Sequence, residues 1–295
     1  MFKCFNSRKK FLLIFVFLFI IIFSVVIISC RYLSIHSNKN IILDPNKMYV
    51  HYIDVGQGDS ILIQVNNTNL LIDSGPKSDK RKFLNYLSKL NLDKLDYIIA
   101  THPHEDHIGN MADVINKYPV LSFYAPKVQS TTKTFEEMID ALKSKSLKIN
   151  VIKKGTNSIN LGENTKITVF SPTKDYYEDL NNYSPIIKIE YGKTSFLFTG
   201  DAQKDVEKEI LDNNEDISAD VLKVGHHGSS TSTSPNFLAK VNPSIGIISV
   251  GQDNTYNHPN DETLNNLTKN KVTIFRTDKD GSIVLSSDGS KITRK

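Results

Sequence analysis

Three of the chain's eight histidines fall within six positions, in Thr101-His102-Pro103-His104-Glu105-Asp106-His107, directly after the short apolar strand pattern of residues 97–100. His102 and His104, two apart at a strand end, point the same way and can share one cation, and Asp106 and His107 on the following turn can serve a second. A helix cap at Asp106 or a solvated polar loop accounts for the acidic residue but not for the spacing of the three rings.

Two later segments supply what this cluster lacks. Residues 195–199 read as a buried strand ending in Gly200-Asp201, where a carboxylate beside a glycine can approach two cations and balance charge that imidazoles cannot. Residues 220–224 read as another strand, running into Gly225-His226-His227-Gly228-Ser229-Ser230, whose adjacent imidazoles face different sides.

Around these segments the chain alternates β and α. Strand patterns at residues 49–55, 60–65 and 69–73, split by Gly-Gln-Gly and Asn-Asn turns, form an opening meander. Helical spacing marks residues 80–90 through Phe83, Leu84, Leu87 and Leu90, and further helices are predicted at about 109–117, 134–144, 203–212 and 235–240. Residues 186–191 and 195–198 make a hairpin across a Gly-Lys turn. Two β-rich halves with outer helices predict an α/β sandwich, and one domain over residues 48–295 accommodates all of it.

Residues 1–30 differ in kind. Lys3, Arg8, Lys9 and Lys10 precede an apolar run, residues 11–28, broken only by Ser24, and no acidic residue occurs before Asp44. As a helix rising ~1.5 Å per residue the run is roughly 27 Å long, close to the thickness of bilayer hydrocarbon. The basic cluster on its N-terminal side predicts a cytoplasmic Met1 and a working domain on the extracellular face of the cell membrane. Ile27-Ile28-Ser29-Cys30 resembles a bacterial lipobox, so the expected tether is either a signal anchor or a lipid on Cys30, followed by a linker over residues 31–47. Cys4 and Cys30 are the only cysteines, which leaves any metal to His and carboxylate ligands. Four of the 36 Lys and Arg belong to the tether, leaving 32 against 32 Asp and Glu. A balanced domain has no broad field for nucleic acid, so such contact has to rest on a local patch.

In order along the chain, His-x-His-x-Asp-His after a strand, then Thr199-Gly200-Asp201, then a His at a later strand end resemble the metallo-β-lactamase fold signature. Within that fold, Asp54-Val55-Gly56-Gln57-Gly58-Asp59-Ser60, His226-His227-Gly228-Ser229 and Asn254-x-Tyr256-x-His258-Pro259 resemble the extracellular hydrolase domain of ComEC-type competence proteins, over about residues 49–287. The resemblance implies a four-layer αββα sandwich carrying two divalent metal ions, zinc or manganese, at the sheet edge. His102 and His104 would hold the first ion and Asp106 and His107 the second. Asp201 would bridge, and one of His226 and His227, with His227 preferred, would complete the second site. Asp73 and Asp54 would support the metal loop from behind. His258 would face substrate, steadying a phosphoryl oxygen or protonating the leaving group, and Ser229 and Ser230 would contact phosphate oxygens.

Two departures qualify this. No His lies between residues 107 and 226, so the first site is one imidazole short. Asn181, Asn182 or Ser184 can stand there, an oxygen-rich arrangement that suits manganese, and operation with a single metal is an open alternative. ComEC-type proteins also join this domain to a many-helix channel, whereas this chain has one apolar segment, so a channel function is not carried over. The implied activity is metal-dependent hydrolysis of a phosphodiester, nucleic acid foremost, with Asp106, Asp201 and His258 as catalytic residues and no protein partner evident. The rivals are a surface phosphoesterase acting on phosphocholine-type groups and a non-catalytic partner of a DNA-uptake channel. A basic groove beside the metals would favour nucleic acid, and an aromatic cage with acidic residues would favour choline.

Overall fold

The computed structural model describes Leu43–Lys295, together with residue 19 and residues 22–24. Most of the expected membrane segment, Cys30 and most of the linker therefore lie outside the described residues, among which no helix is long and apolar enough to cross a membrane.

Leu43–Lys295 is built on two sheets. The first contains β1 (Met48–Tyr52), β2 (Ile61–Val65), β3 (Thr68–Ile72), β4 (Leu95–Ile99), β5 (Val120–Ala125), β6 (Ile149–Val151), β13 (Ile283–Ser287) and β14 (Ile292–Arg294), in the order β14-β13-β1-β2-β3-β4-β5-β6. The second contains β7 (Thr165–Val169), β8 (Ile187–Tyr191), β9 (Thr194–Phe198), β10 (Val221–Lys223), β11 (Ile245–Ile248) and β12 (Thr273–Arg276), in the order β12-β11-β10-β9-β8-β7. The opening meander forms as the sequence predicts, β1–β2 and β2–β3 being antiparallel, but from β3 to β6 the pairing is parallel. In the second sheet the β7–β8–β9 meander likewise passes into parallel β9 to β12.

Strand alternation explains the layers. Ile61, Ile63, Phe196, Phe198, Val221 and Ile247 face one shared core between the sheets. Their neighbours Leu62 and Leu71 turn outward onto α1 (Lys80–Lys89), α2 (Glu105–Ile108), α3 (Met111–Lys117) and α4 (Lys133–Ser144). Leu197, Leu222 and Ile248 turn outward onto α5 (Lys204–Asp212), α6 (Pro235–Val241) and α7 (Asp261–Lys269). Helices thus cover the outer faces of both sheets, giving the four layers αββα.

The sequence readings differ from the structure at identifiable places. The first strand stops at Tyr52 rather than residue 55, because Asp54 Oδ1 accepts the Gly56 N–H at 3.2 Å and starts a turn. The helix read at 109–117 starts at Met111, and a separate short helix over Glu105–Ile108 precedes it; between the two, the Asn110 amide donates to the carbonyls of Ser74 (2.9 Å) and Pro76 (2.7 Å). Helix α7 carries no helix reading in the sequence, although Asn260 caps it by accepting from the Glu262 N–H at 2.9 Å.

Candidate metal centre

Asp73, Thr101-His102, Gly200-Asp201 and Gly225-His226-His227 all follow the C-terminal ends of β3, β4, β9 and β10, the strands where each sheet turns parallel. Both sheets therefore deliver polar side chains to one edge, where ligands of open α/β sheets bind. His102 and His104 flank Pro103 ahead of α2, and His107 lies buried within that helix.

Hydrogen bonds fix which ring nitrogen faces the centre. The Thr101 N–H and hydroxyl donate to Asp73 Oδ1 (2.8 Å) and Oδ2 (2.7 Å). With its proton committed there, the Thr101 hydroxyl can only accept from His102 Nδ1, 3.1 Å away, which leaves His102 Nε2 as a bare lone pair. His107 Nδ1 donates to Asp73 Oδ2 at 2.8 Å, and His227 Nδ1 to the Ser249 carbonyl at 2.9 Å, so their Nε2 lone pairs also turn inward.

These lone pairs meet at one carboxylate oxygen. Asp201 Oδ2 is 3.2 Å from His107 Nε2, 3.5 Å from His227 Nε2, 3.5 Å from His226 Nε2 and 3.9 Å from His102 Nε2. Asp106 Oδ2 adds contacts of 3.3 Å to His227 Nε2 and 3.8 Å to His107 Nε2, and His102 Nε2 stands 3.0 Å from His104 Nδ1. Atoms bound at about 2.0–2.2 Å to one tetrahedral ion stand about 3.3–3.6 Å apart. Asp106, His107, Asp201 and His227 present ligand atoms mutually within 4.8 Å, which fits one divalent ion. His102 Nε2, 3.9 Å from the same Asp201 oxygen and 3.0 Å from His104 Nδ1, flanks this group without joining it.

Charge and orphaned atoms support the same fit. Asp201 Oδ1 and His227 Nε2 are buried without a hydrogen-bond partner, a costly state unless a cation lies between them. Burial opposes ionisation of Asp201, but the neighbouring His107 and His227 outweigh it and hold the carboxyl well below its ordinary range. Burial likewise opposes charge on His107, yet Asp201, Asp106 and Asp73 lift it well above the ordinary imidazole value. Each half of the cluster calls for positive charge, which a divalent ion supplies without consuming the lone pairs as protons do.

The other expected residues are placed as follows. His227 is buried within the cluster, while His226 is partly exposed, its Nδ1 3.0 Å from Thr231 Oγ1, so the adjacent rings do face different sides. Both adopt left-handed backbone (φ +49° and +53°), a strained pair bracketed by the His226 N–H donating to the Gly200 carbonyl (3.0 Å) and the Ser229 N–H donating to the His226 carbonyl (2.8 Å), while Glu207 accepts from the Thr233 and Ser234 amides of the following loop. Ser184, and not Asn182, touches the His102 side of the centre: its Oγ is 3.3 Å from His102 Nδ1 and accepts the Asp201 N–H at 3.1 Å. Asn182 instead accepts the Gln203 N–H at 3.0 Å, and Asn181 Oδ1 is buried without a partner. The Ser229 hydroxyl is engaged locally with Thr231 at 3.0 Å, and Ser230 beside it is half-buried.

His258 packs its ring 5.6 Å from His226, between it and the exposed Tyr256 at 5.7 Å. Asn254 clamps this loop by accepting the His258 N–H at 3.0 Å and donating to the His258 carbonyl. Burial, and then the nearby His226 and His227, pull the His258 imidazole down to about 4, so it is neutral at pH 7.

Asp54 makes no hydrogen bond or ion pair with the cluster among the described residues. It pairs with Lys82 at 2.5 Å on the other side of its turn. The carboxylate of that motif that reaches the centre is Asp59, for which the sequence alone indicates no role: its Oδ1 is 3.3 Å from His227 Nδ1 and its Oδ2 is 2.9 Å from Lys223 Nζ. The available signal was Lys223 itself, a lone charge in the apolar run Val221-Leu222-Lys223-Val224.

ComE operon protein 3 of Bacillus subtilis (strain 168) is 31% identical over 252 residues, 79% of this chain and 32% of that protein. Competence protein ComA of Neisseria gonorrhoeae is 25% identical over 242 residues, 81% of this chain and 32% of that one. The chain thus spans about a third of the length of these relatives. Among solved structures, the metallo-beta-lactamase fold protein YhfI from Bacillus subtilis superposes with a TM-score of 0.54 at 15% identity, covering 82% of this chain and 99% of that one. Residues 53–252 match the model of the metallo-beta-lactamase superfamily, and the chain belongs to that superfamily, whose fold implies the divalent metal its His/Asp cluster is shaped to hold.

Proposed function

We propose that the protein is a membrane-tethered, extracytoplasmic phosphodiesterase acting on nucleic acid, with two divalent ions, zinc or manganese. The observation that carries the reading is Asp201 Oδ2 facing four imidazole nitrogens at 3.2–3.9 Å, which supports a bridging role for Asp201 between two metal sites. His102, His104 and Asp201 would hold one ion, and Asp106, His107, Asp201 and His227 the other. The chemistry such ions supply when bound is Lewis acidity toward a phosphoryl oxygen and acidification of water. Asp106 has the most exposed carboxylate of the cluster and would orient a water for in-line attack. His226 and His258 line the same side; neutral His258 can donate one hydrogen bond to a phosphoryl oxygen, and protonating the leaving group is the weaker of its two expected roles. Relatives named for competence support nucleic acid as the substrate, and the apolar run at residues 11–28 supports the tether.

A second reading is favoured by a specific cavity. Beside His104 opens a space of about 950 Å³ carrying Tyr176 and Tyr177 with Glu178, Asp179 and Asp205, while Lys174 and Lys208 are already paired with Glu209 and Asp212. The exposed Tyr176 ring with Glu178 and Asp205 suits a quaternary ammonium such as that of phosphocholine and repels a polyanion, whereas Tyr177 is buried with the Lys174 ammonium over its ring and Asp179 is held by Gln203. The test is turnover by the full chain, stripped of metal and resupplied with manganese or zinc, on single-stranded DNA and on p-nitrophenyl phosphorylcholine, with Asp201→Ala as control. Cleavage of DNA absent from the control supports the first reading, and cleavage of the choline ester alone replaces it with the second. No turnover of either would leave a non-catalytic binding role.

A further inference from the structure

Lys223 is 0% exposed, and its position in β10 aims it between the sheets: Val221 faces the shared core, Leu222 the outer helices, and Lys223 the core side again. Its ammonium reaches Asp59 Oδ2 at 2.9 Å and donates to the Val224 carbonyl at 3.0 Å. Placing two charges in a core is a poor way to gain stability, since well-packed apolar residues do as well or better. A buried pair at this position therefore calls for another explanation.

The rest of Asp59 supplies one. Its backbone N–H donates to the Asp106 carbonyl (3.2 Å) and its carbonyl accepts the Gly75 N–H (2.8 Å), so it is stitched to both loops that carry Asp73 and Asp106. Its Oδ1, buried and without a hydrogen-bond partner, lies 3.3 Å from His227 Nδ1, next to the Ser249 carbonyl that takes the Nδ1 proton. Two oxygens crowding Nδ1 penalise any tautomer that puts a lone pair there. With Oδ2 held by Lys223, the carboxylate can neither swing into the ligand sphere nor rotate away from the ring.

We propose that Asp59, held by Lys223, is a positioning residue that fixes the ring orientation and Nδ1–H tautomer of His227, presenting Nε2 to the metal as Asp73 does for His107. Lys223 thereby connects the second sheet to the first at the one ligand the second sheet supplies from β10. The inference concerns metal binding and needs no substrate, so it stands or falls separately from the proposed activity.

The test compares Asp59→Asn, Lys223→Met and the double variant of the full chain by two readouts: thermal unfolding of the metal-free protein, and titration with cobalt(II) followed by its visible absorption. Each single variant strands one buried charge and is expected to unfold earlier, while the double variant recovers. A positioning role keeps the recovered double variant about tenfold to a hundredfold weaker in cobalt affinity, with an altered spectrum. Wild-type cobalt affinity and spectrum in the folded double variant would overturn the proposal and leave the pair a structural one. If the double variant does not fold, Asp59→Glu decides, since it keeps the charge on Lys223 and shifts the carboxylate against His227: unchanged cobalt binding overturns the proposal, and binding weakened at least tenfold supports it.

Discussion

His51 shows how far a single ionisable side chain can act when it lies outside the metal centre. It is buried on β1 against α1, with its Nδ1 2.9 Å from the Tyr86 hydroxyl. Burial, opposed by the Gln64 side chain, pulls its imidazole from 6.5 down to about 4. The unfolded chain then binds the extra proton between those values. The stabilisation is complete above about pH 6.5 and is lost as pH falls toward about 4, a term of up to about 3 kcal/mol. His51→Gln, which stays neutral and keeps an acceptor for Tyr86, is expected to flatten the fall in urea midpoint between pH 7 and 4.5. An unchanged slope would assign the acid sensitivity elsewhere. Much of the centre was legible at this scale, because His102, His104, Asp106 and His107 are adjacent in sequence and Asp201 and His227 each follow a strand pattern. Asp59 and Lys223 were not, because their partnership joins residues 164 positions apart through the core between the sheets, and no local spacing records it. Asp54 was misread for the complementary reason: a carboxylate opening a glycine-rich turn looks functional, but its own turn and Lys82 use it.

At the scale of elements, the centre depends on turns held tightly against one another. Gly228 has φ +84°, and a Cβ built there would stand 2.5 Å from the Pro259 Cβ, so the His226–Gly228 turn and the His258 loop touch across a gap only glycine fits. Gly228→Ala is expected to cost about 1–3 kcal/mol of stability and to displace His258. Turnover should fall roughly tenfold or more, by the sensitivity of catalysis to small misplacement. Equal turnover in the folded variant would show that the loop's position is not critical. Strand alternation was readable in the sequence because each strand buries one face in the shared core, as Phe196 and Phe198 do with Leu197 between them. The change from antiparallel to parallel pairing after β3 and β9 was not readable, since it depends on which strand each crossover helix returns to.

For the molecule as a whole, two sheets and their covering helices exist around an edge that collects buried carboxylates, with Lys223 the one fully buried ammonium that meets them among the described residues. Metal binding and folding should therefore be linked. Removing metal with a chelator is expected to lower the melting temperature by about 5–10 °C, the consequence of losing a ligand present at about 100 times its dissociation constant. Whether Asp201 joins two groups of side chains into one metal centre is decided by equilibrium titration of metal-free full chain with manganese, wild type beside Asp201→Ala. About two tight ions per wild-type chain, with tight binding lost at both sites in the variant, is the expected result. Undiminished manganese binding by Asp201→Ala, or none by the wild type, would contradict it.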